Sequence, residues 1–248
     1  MPSLSNFASF AGAFIITMGA VTNICAQSSP NAPLVYYAAS TGHQTLDQGE
    51  GGGNPFASAL IELIDRTDLS LDVFTQQLKE MTAKKSHGRQ LPDVPVHPEP
   101  AGWRFSPKIH GERRQALVLV YSDYSASGGA KSLPGAKHDA ERITAALKRA
   151  GFETESVIDP KRSNLKPVLA SFATRSSDAD VALVYTTGHG VEVDGTVYLL
   201  PGDYPVARPS EALADDAIAI PTISANVRAR HANFVFYGGC RDNPFQRR

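Results

Sequence analysis

The chain has 248 residues, long enough for one large domain or two small ones, and is 42% apolar and 20% charged, a composition ordinary for a globular protein. Its net charge of −1 excludes the overall basic field that nucleic-acid binding calls for. Two cysteines, Cys25 and Cys240, and seven dispersed histidines exclude a disulfide scaffold and a zinc site of Cys/His or HExxH spacing.

In chain order the first feature is residues 7–22, an apolar stretch without charge. It has the character of a signal-peptide h-region, with Ile24, Cys25 and Ala26 offering a cleavage site. It is short of the roughly 20 residues of a membrane span, so no stable span is expected. Residues 1–6 contain no Lys or Arg, and a helix belonging to the fold is the alternative. Residues 1–27 are therefore a signal peptide or an apolar N-terminal segment. The first reading makes the protein secreted or periplasmic, the second cytoplasmic. Cleavage after Ala26 leaves Cys240 as a lone thiol, which favours a nucleophile. Retention in an oxidising compartment instead permits a Cys25–Cys240 disulfide.

Residues 34–38 read as a strand, and a glycine-rich loop at 49–53 leads into a helix over 56–64. A second helix over 71–84 takes Ser70 as N-cap and places Val73, Phe74, Leu78 and Met81 on one face. Residues 86–107 hold five prolines and read as a connector with a short strand at 103–105. A βαβ series follows. It runs through a strand at 116–121, a helix over 138–150 ended by Gly151, a strand at 153–158 and a helix over 163–175. Leu165, Val168, Leu169 and Phe172 face inward on that last helix. A strand at 181–186 precedes a hairpin turning at Asp194-Gly195, then a helix over 222–230 and a strand at 234–237. The alternation predicts an α/β fold, with a mostly parallel sheet between helices on both faces, in three layers.

Ligands and chemistry in such sheets sit beyond the carboxyl ends of the strands. Two strands end there in a glycine and a reactive side chain: His189 after 181–186, Cys240 after 234–237. A thiolate attacks carbonyl carbon, and a neighbouring imidazole can take the thiol proton. Backbone N–H groups beside both residues can hold an oxyanion, and Gly190 leaves its N–H unshielded. Each residue alone is better read as a packed or surface side chain. Together they propose a catalytic dyad.

The surroundings resemble a known family. Thr187-Gly188-His189-Gly190 with the Val191–Gly195 stretch is similar to the histidine motif of bacterial caspase-like peptidases of the metacaspase/orthocaspase group, and Cys240-Arg241-Asp242-Asn243-Pro244-Phe245 to their cysteine motif. Residues 111–121 and 133–140 resemble the start of that domain. The segment that should follow the cysteine stands at the front instead: residues 32–40, Leu46-Asp47, 53–56 and 88–92 resemble it in the family's order. Residues 28–248 thus read as one circularly permuted caspase-like domain, with 30–107 small-subunit-like and 111–248 large-subunit-like. A gene assembled out of order would give the same pattern.

The resemblance implies a cysteine endopeptidase acting on protein or peptide substrates through a thioester acyl-enzyme. His189 would be the general base, Cys240 the nucleophile, and the N–H groups of Gly190 and Cys240 the oxyanion donors. It implies cleavage after a basic residue bound by Asp139, with Asp47 contributing. Asp139 as a helix N-cap and Asp47 as a turn residue are the alternatives. The family's acid two residues before the cysteine is here Gly238, which motivates a second hypothesis, an inactive caspase-like binding or regulatory module. No cofactor is implied. Calcium dependence and oligomeric state are left open, with no EF-hand spacing in the chain. A third reading takes residues 48–54 as a phosphate loop, but they lack GK[ST] and GxGxxG spacing and carry Glu50.

Overall fold

A computed structural model of the chain describes residues 31–49, 52–66, 68–100, 103–105, 110–205 and 213–243. The apolar N-terminal stretch, Cys25, Pro244 and Phe245 lie outside the described residues. The first half runs β1 (Leu34–Tyr37), α1 (Pro55–Ile64), α2 (Leu71–Lys85), β2 (Arg114–Val120), α3 (Pro134–Arg149), β3 (Glu153–Ile158) and α4 (Arg162–Ser177). It continues with β4 (Val181–Thr187), β5 (Gly190–Val193), β6 (Thr196–Leu199), α5 (Leu213–Asp216), β7 (Ile218–Ala219), α6 (Ile220–Ser224) and β8 (Ala232–Tyr237).

Five strands form one parallel sheet in the order β1-β8-β4-β2-β3. The central strands β8, β4 and β2 are buried at every residue, as their unbroken apolar runs require. Glu153-Thr154-Glu155 keeps β3 half exposed at the sheet edge. Successive side chains alternate between two cores. Ala116, Val118 and Val120 share one core with residues of α1, α2 and α3, whereas Leu117 and Leu119 share the other with residues of α4 and α6. The expected three-layer α/β architecture is the observed one. β5 and β6 form the predicted hairpin, with Asp194 and Gly195 at φ 50° and 75°, and β7 adds a third strand.

Several boundaries differ from the sequence reading. α3 begins at Pro134 rather than at 138. Proline suits a first helical turn, and a distant carboxylate, Asp47, accepts hydrogen bonds from the N–H groups of Gly135 (3.0 Å) and Ala136 (3.1 Å). Asp139 therefore lies inside the helix and is not its N-cap. α6 stops at Ser224 instead of running over 222–230. The following backbone is drawn onto the start of β4, where Arg230 and His231 donate to the carbonyls of Ala179 and Asp180. Residues 103–105 are not a strand. Trp103 packs its ring 4.6 Å from those of Phe105 and Phe234 and forms part of the core wall instead. Val73 points outward from α2, while Phe74 and Leu78 are buried as expected. Among the described residues no helix is long and apolar enough to cross a membrane.

Candidate active site

β4 and β8 are neighbours in register, with Thr186 opposite Tyr237, so the chain leaves both strands at the same end of the sheet. His189 and Cys240 follow those ends and line one cavity of about 380 Å³, together with Gly190, Thr45, Asp47 and Asp139. All five sequence-predicted site residues are thus brought to one wall system.

The His189 backbone N–H donates to the Tyr124 hydroxyl at 2.7 Å, which in turn donates to the Leu200 carbonyl at 2.8 Å. The Tyr124 ring meets the imidazole edge-on, with centroids 4.5 Å apart. His189 Nε2 lies 2.7 Å from the Lys131 carbonyl oxygen. A carbonyl only accepts, so Nε2 carries the hydrogen and the lone pair of the neutral ring sits on Nδ1.

Cys240 is a free thiol. Its Sγ accepts from the Thr45 backbone N–H at 3.3 Å and lies 3.5 Å from Thr45 Oγ1. Burial pushes the thiol pKa up, and the two Thr45 contacts oppose that shift. The Tyr237 hydroxyl donates to the Cys240 carbonyl at 3.2 Å. A side chain at Gly190 would overlap that same hydroxyl, so the close approach of Tyr237 demands glycine there. At Gly238 an added Cβ would meet Thr187 Oγ1 at 2.8 Å, so a side chain there would require Thr187 to shift.

Asp139 is fully buried. It accepts from the Asn54 backbone N–H at 2.8 Å and lies 3.4 Å from an Arg142 nitrogen. Burial pushes its pKa up to about 7, against the opposing pull of Asn54 and Arg142. The Asn54 side chain caps α1 by accepting from Phe56 N–H, and its own N–H is spent on Asp139. Among the described residues of the 48–54 loop, the N–H groups of Gly49, Gly52 and Asn54 are each engaged within the protein. Asp47 offers both oxygens to the start of α3, so it anchors the loop that carries it. Among the described residues no group of three or more His, Cys, Asp or Glu side chains is placed to hold a metal ion.

Arg241, beside the cysteine, is buried among Glu192 (2.8 Å), Asp93 (2.8 Å), Thr41 Oγ1 (2.7 Å) and the Ala39 carbonyl, with the Tyr37 ring 4.2 Å away. Thr45, Tyr124, Tyr237 and the Lys131 carbonyl are parts of the site to which sequence reasoning gave no role, and Arg241 was read only as part of the cysteine motif. Thr45, Tyr124 and Lys131 carry no local motif, because each reaches the site only through the fold.

Comparison with protein families matches residues 113–243 to the caspase domain, Peptidase_C14. No curated protein matches the chain.

Proposed function

Because this chain belongs to the caspase domain family, whose members are cysteine peptidases, we propose that it is an endopeptidase that uses Cys240 as nucleophile and His189 as base. The observation that carries this reading is the shared cavity. The Cys240 thiol and the His189 ring stand on its wall, and the Lys131 carbonyl fixes the tautomer that leaves Nδ1 basic. In the proposed reaction Nδ1 takes the thiol proton and Sγ attacks the scissile carbonyl carbon. The oxyanion is held by the N–H groups of Gly190 and Cys240. The imidazolium then protonates the leaving amine, and water hydrolyses the thioester with His189 again as base.

Asp139 supports a preference for a basic residue before the scissile bond, since it is a carboxyl on the same cavity wall. It stands without the second acid, because Gly238 occupies that place. The parallel pairing of β1 with β8, Leu34 opposite Phe234 through Tyr37 opposite Tyr237, supports the circular permutation, with residues 30–107 completing the unit of residues 111–248.

Cys240→Ala and His189→Ala should each reduce hydrolysis of unstructured peptides by at least roughly a thousandfold while leaving the melting temperature in place. Undiminished hydrolysis by folded Cys240→Ala removes the proposal. No hydrolysis by the wild-type protein across a peptide library would favour a binding module instead.

A further inference from the structure

The thiol's hydrogen-bond partner comes from a residue 195 positions away in the chain, on the loop after β1. That loop is tied down on both sides of the contact. Gly42 N–H donates to the Arg241 carbonyl at 3.0 Å, and Arg241 N–H to the His43 carbonyl at 2.9 Å. The Gln44 side chain donates to Asp242 at 2.7 Å. Leu46 N–H donates to the Gln90 side chain at 3.1 Å, and Asp47 grips the start of α3. Thr45 is the one residue of this run whose backbone N–H and side chain both meet the sulfur.

We propose that Thr45 is the residue that stabilises the Cys240 thiolate, through a fixed backbone donor and a hydroxyl that turns as the proton leaves. In the thiol, S–H and the hydroxyl can exchange donor and acceptor roles. Once His189 Nδ1 has taken the proton, sulfur only accepts, and the hydroxyl must donate to it. Two donors then face the negative charge in a site where burial otherwise opposes ionisation. Because the loop is anchored around Thr45, both donors are in place before the proton moves.

This inference rests on reading Cys240 as the nucleophile, and its test does not use peptide hydrolysis. Iodoacetamide alkylation of Cys240 in the full chain, followed by peptide mass spectrometry from pH 5 to pH 10, gives the thiol's ionisation profile. Thr45→Val, which keeps the shape and the N–H but not the hydroxyl, should move the midpoint up by about one pH unit. Thr45→Ser should overlay the wild type. Thr45→Ala carries the same comparison should the valine variant not fold. A Val or Ala profile coincident with the wild type, or a Ser profile shifted as far as Val, overturns the proposal. Peptide hydrolysis in the wild type with coincident profiles sinks this inference alone. A shifted profile in a protein that cleaves no peptide sinks the endopeptidase reading alone.

Discussion

Asp139 has no exposed surface, and burial makes its carboxyl a reluctant anion, with a pKa near 7 where an open aspartate has 3.8. A native pKa above the unfolded one means that the folded state keeps a proton the unfolded chain has already lost. The stability that this carboxyl contributes therefore falls as pH rises from about 4 to about 7 and levels off above that. The same titration governs the proposed basic-residue preference, because only the ionised carboxyl attracts an arginine. The ratio of kcat/KM for a peptide with arginine before the scissile bond to that for its glutamine analogue should rise about tenfold between pH 6 and pH 8. Groups that act on both substrates cancel in the ratio. Asp139→Asn should flatten that ratio and remove the fall in melting temperature between pH 4 and pH 7. A ratio with the same pH step in the variant would show that Asp139 does not read the substrate. His189, Cys240 and Asp139 were legible because each is a reactive residue type placed beside a strand end or within a motif. Thr45 and Tyr124 were not, since a threonine in a polar loop and a tyrosine beyond a strand carry no sign of what they touch.

At the level of elements, the βαβ alternation was legible because unbroken apolar runs and helical spacing are local properties. The ends were not, because distant residues set them. α3 has Leu133 at its N-cap position with no side-chain cap, and the carboxylate of Asp47 takes that role from 88 residues away. Asp47→Ala should cost about 1 kcal/mol in urea denaturation, as the loss of a helix cap generally does, and Asp47→Asn should keep part of it. The same substitution releases the loop that carries Thr45, so peptide hydrolysis should fall in parallel. Full stability in the alanine variant would mean that water replaces the cap without loss. The predicted strand at 103–105 and the long final helix failed for a related reason. The Trp103 and Phe105 rings are drawn against Phe234, and residues 230–231 are drawn onto the carbonyls before β4, in both cases by tertiary contacts that no local pattern announces.

Across the whole molecule, the N-terminal third and the remainder share one sheet and one ionic cluster around the buried Arg241. Arg241 comes from the cysteine's own loop and Glu192 from β5, while Thr41, Asp93, the Ala39 carbonyl and the Tyr37 ring come from the N-terminal part. Burying a guanidinium is costly without such a set, so the cluster forms only when both parts are present. The proposed permutation rests on the order of motifs along the chain, whereas the register of β1 on β8 was not legible, since strand pairing is a non-local choice. The proposed permutation has a direct test in a rejoined chain that starts at His110, runs to Arg248, crosses a flexible linker to Asn31 and ends at Phe105. β8 and β1 are parallel neighbours, so the return from the top of one to the foot of the other needs a crossover of at least about a dozen residues. With a linker longer than that, the rejoined chain should melt within a few degrees of the natural one, and Cys240 should keep the same alkylation profile. If the rejoined chain is unfolded over a series of linker lengths, the present order of segments is required by the fold and is not a permutation of an equivalent one. If it folds but the thiol profile moves, the loop between β1 and α1 depends on the natural ends for its grip on Cys240.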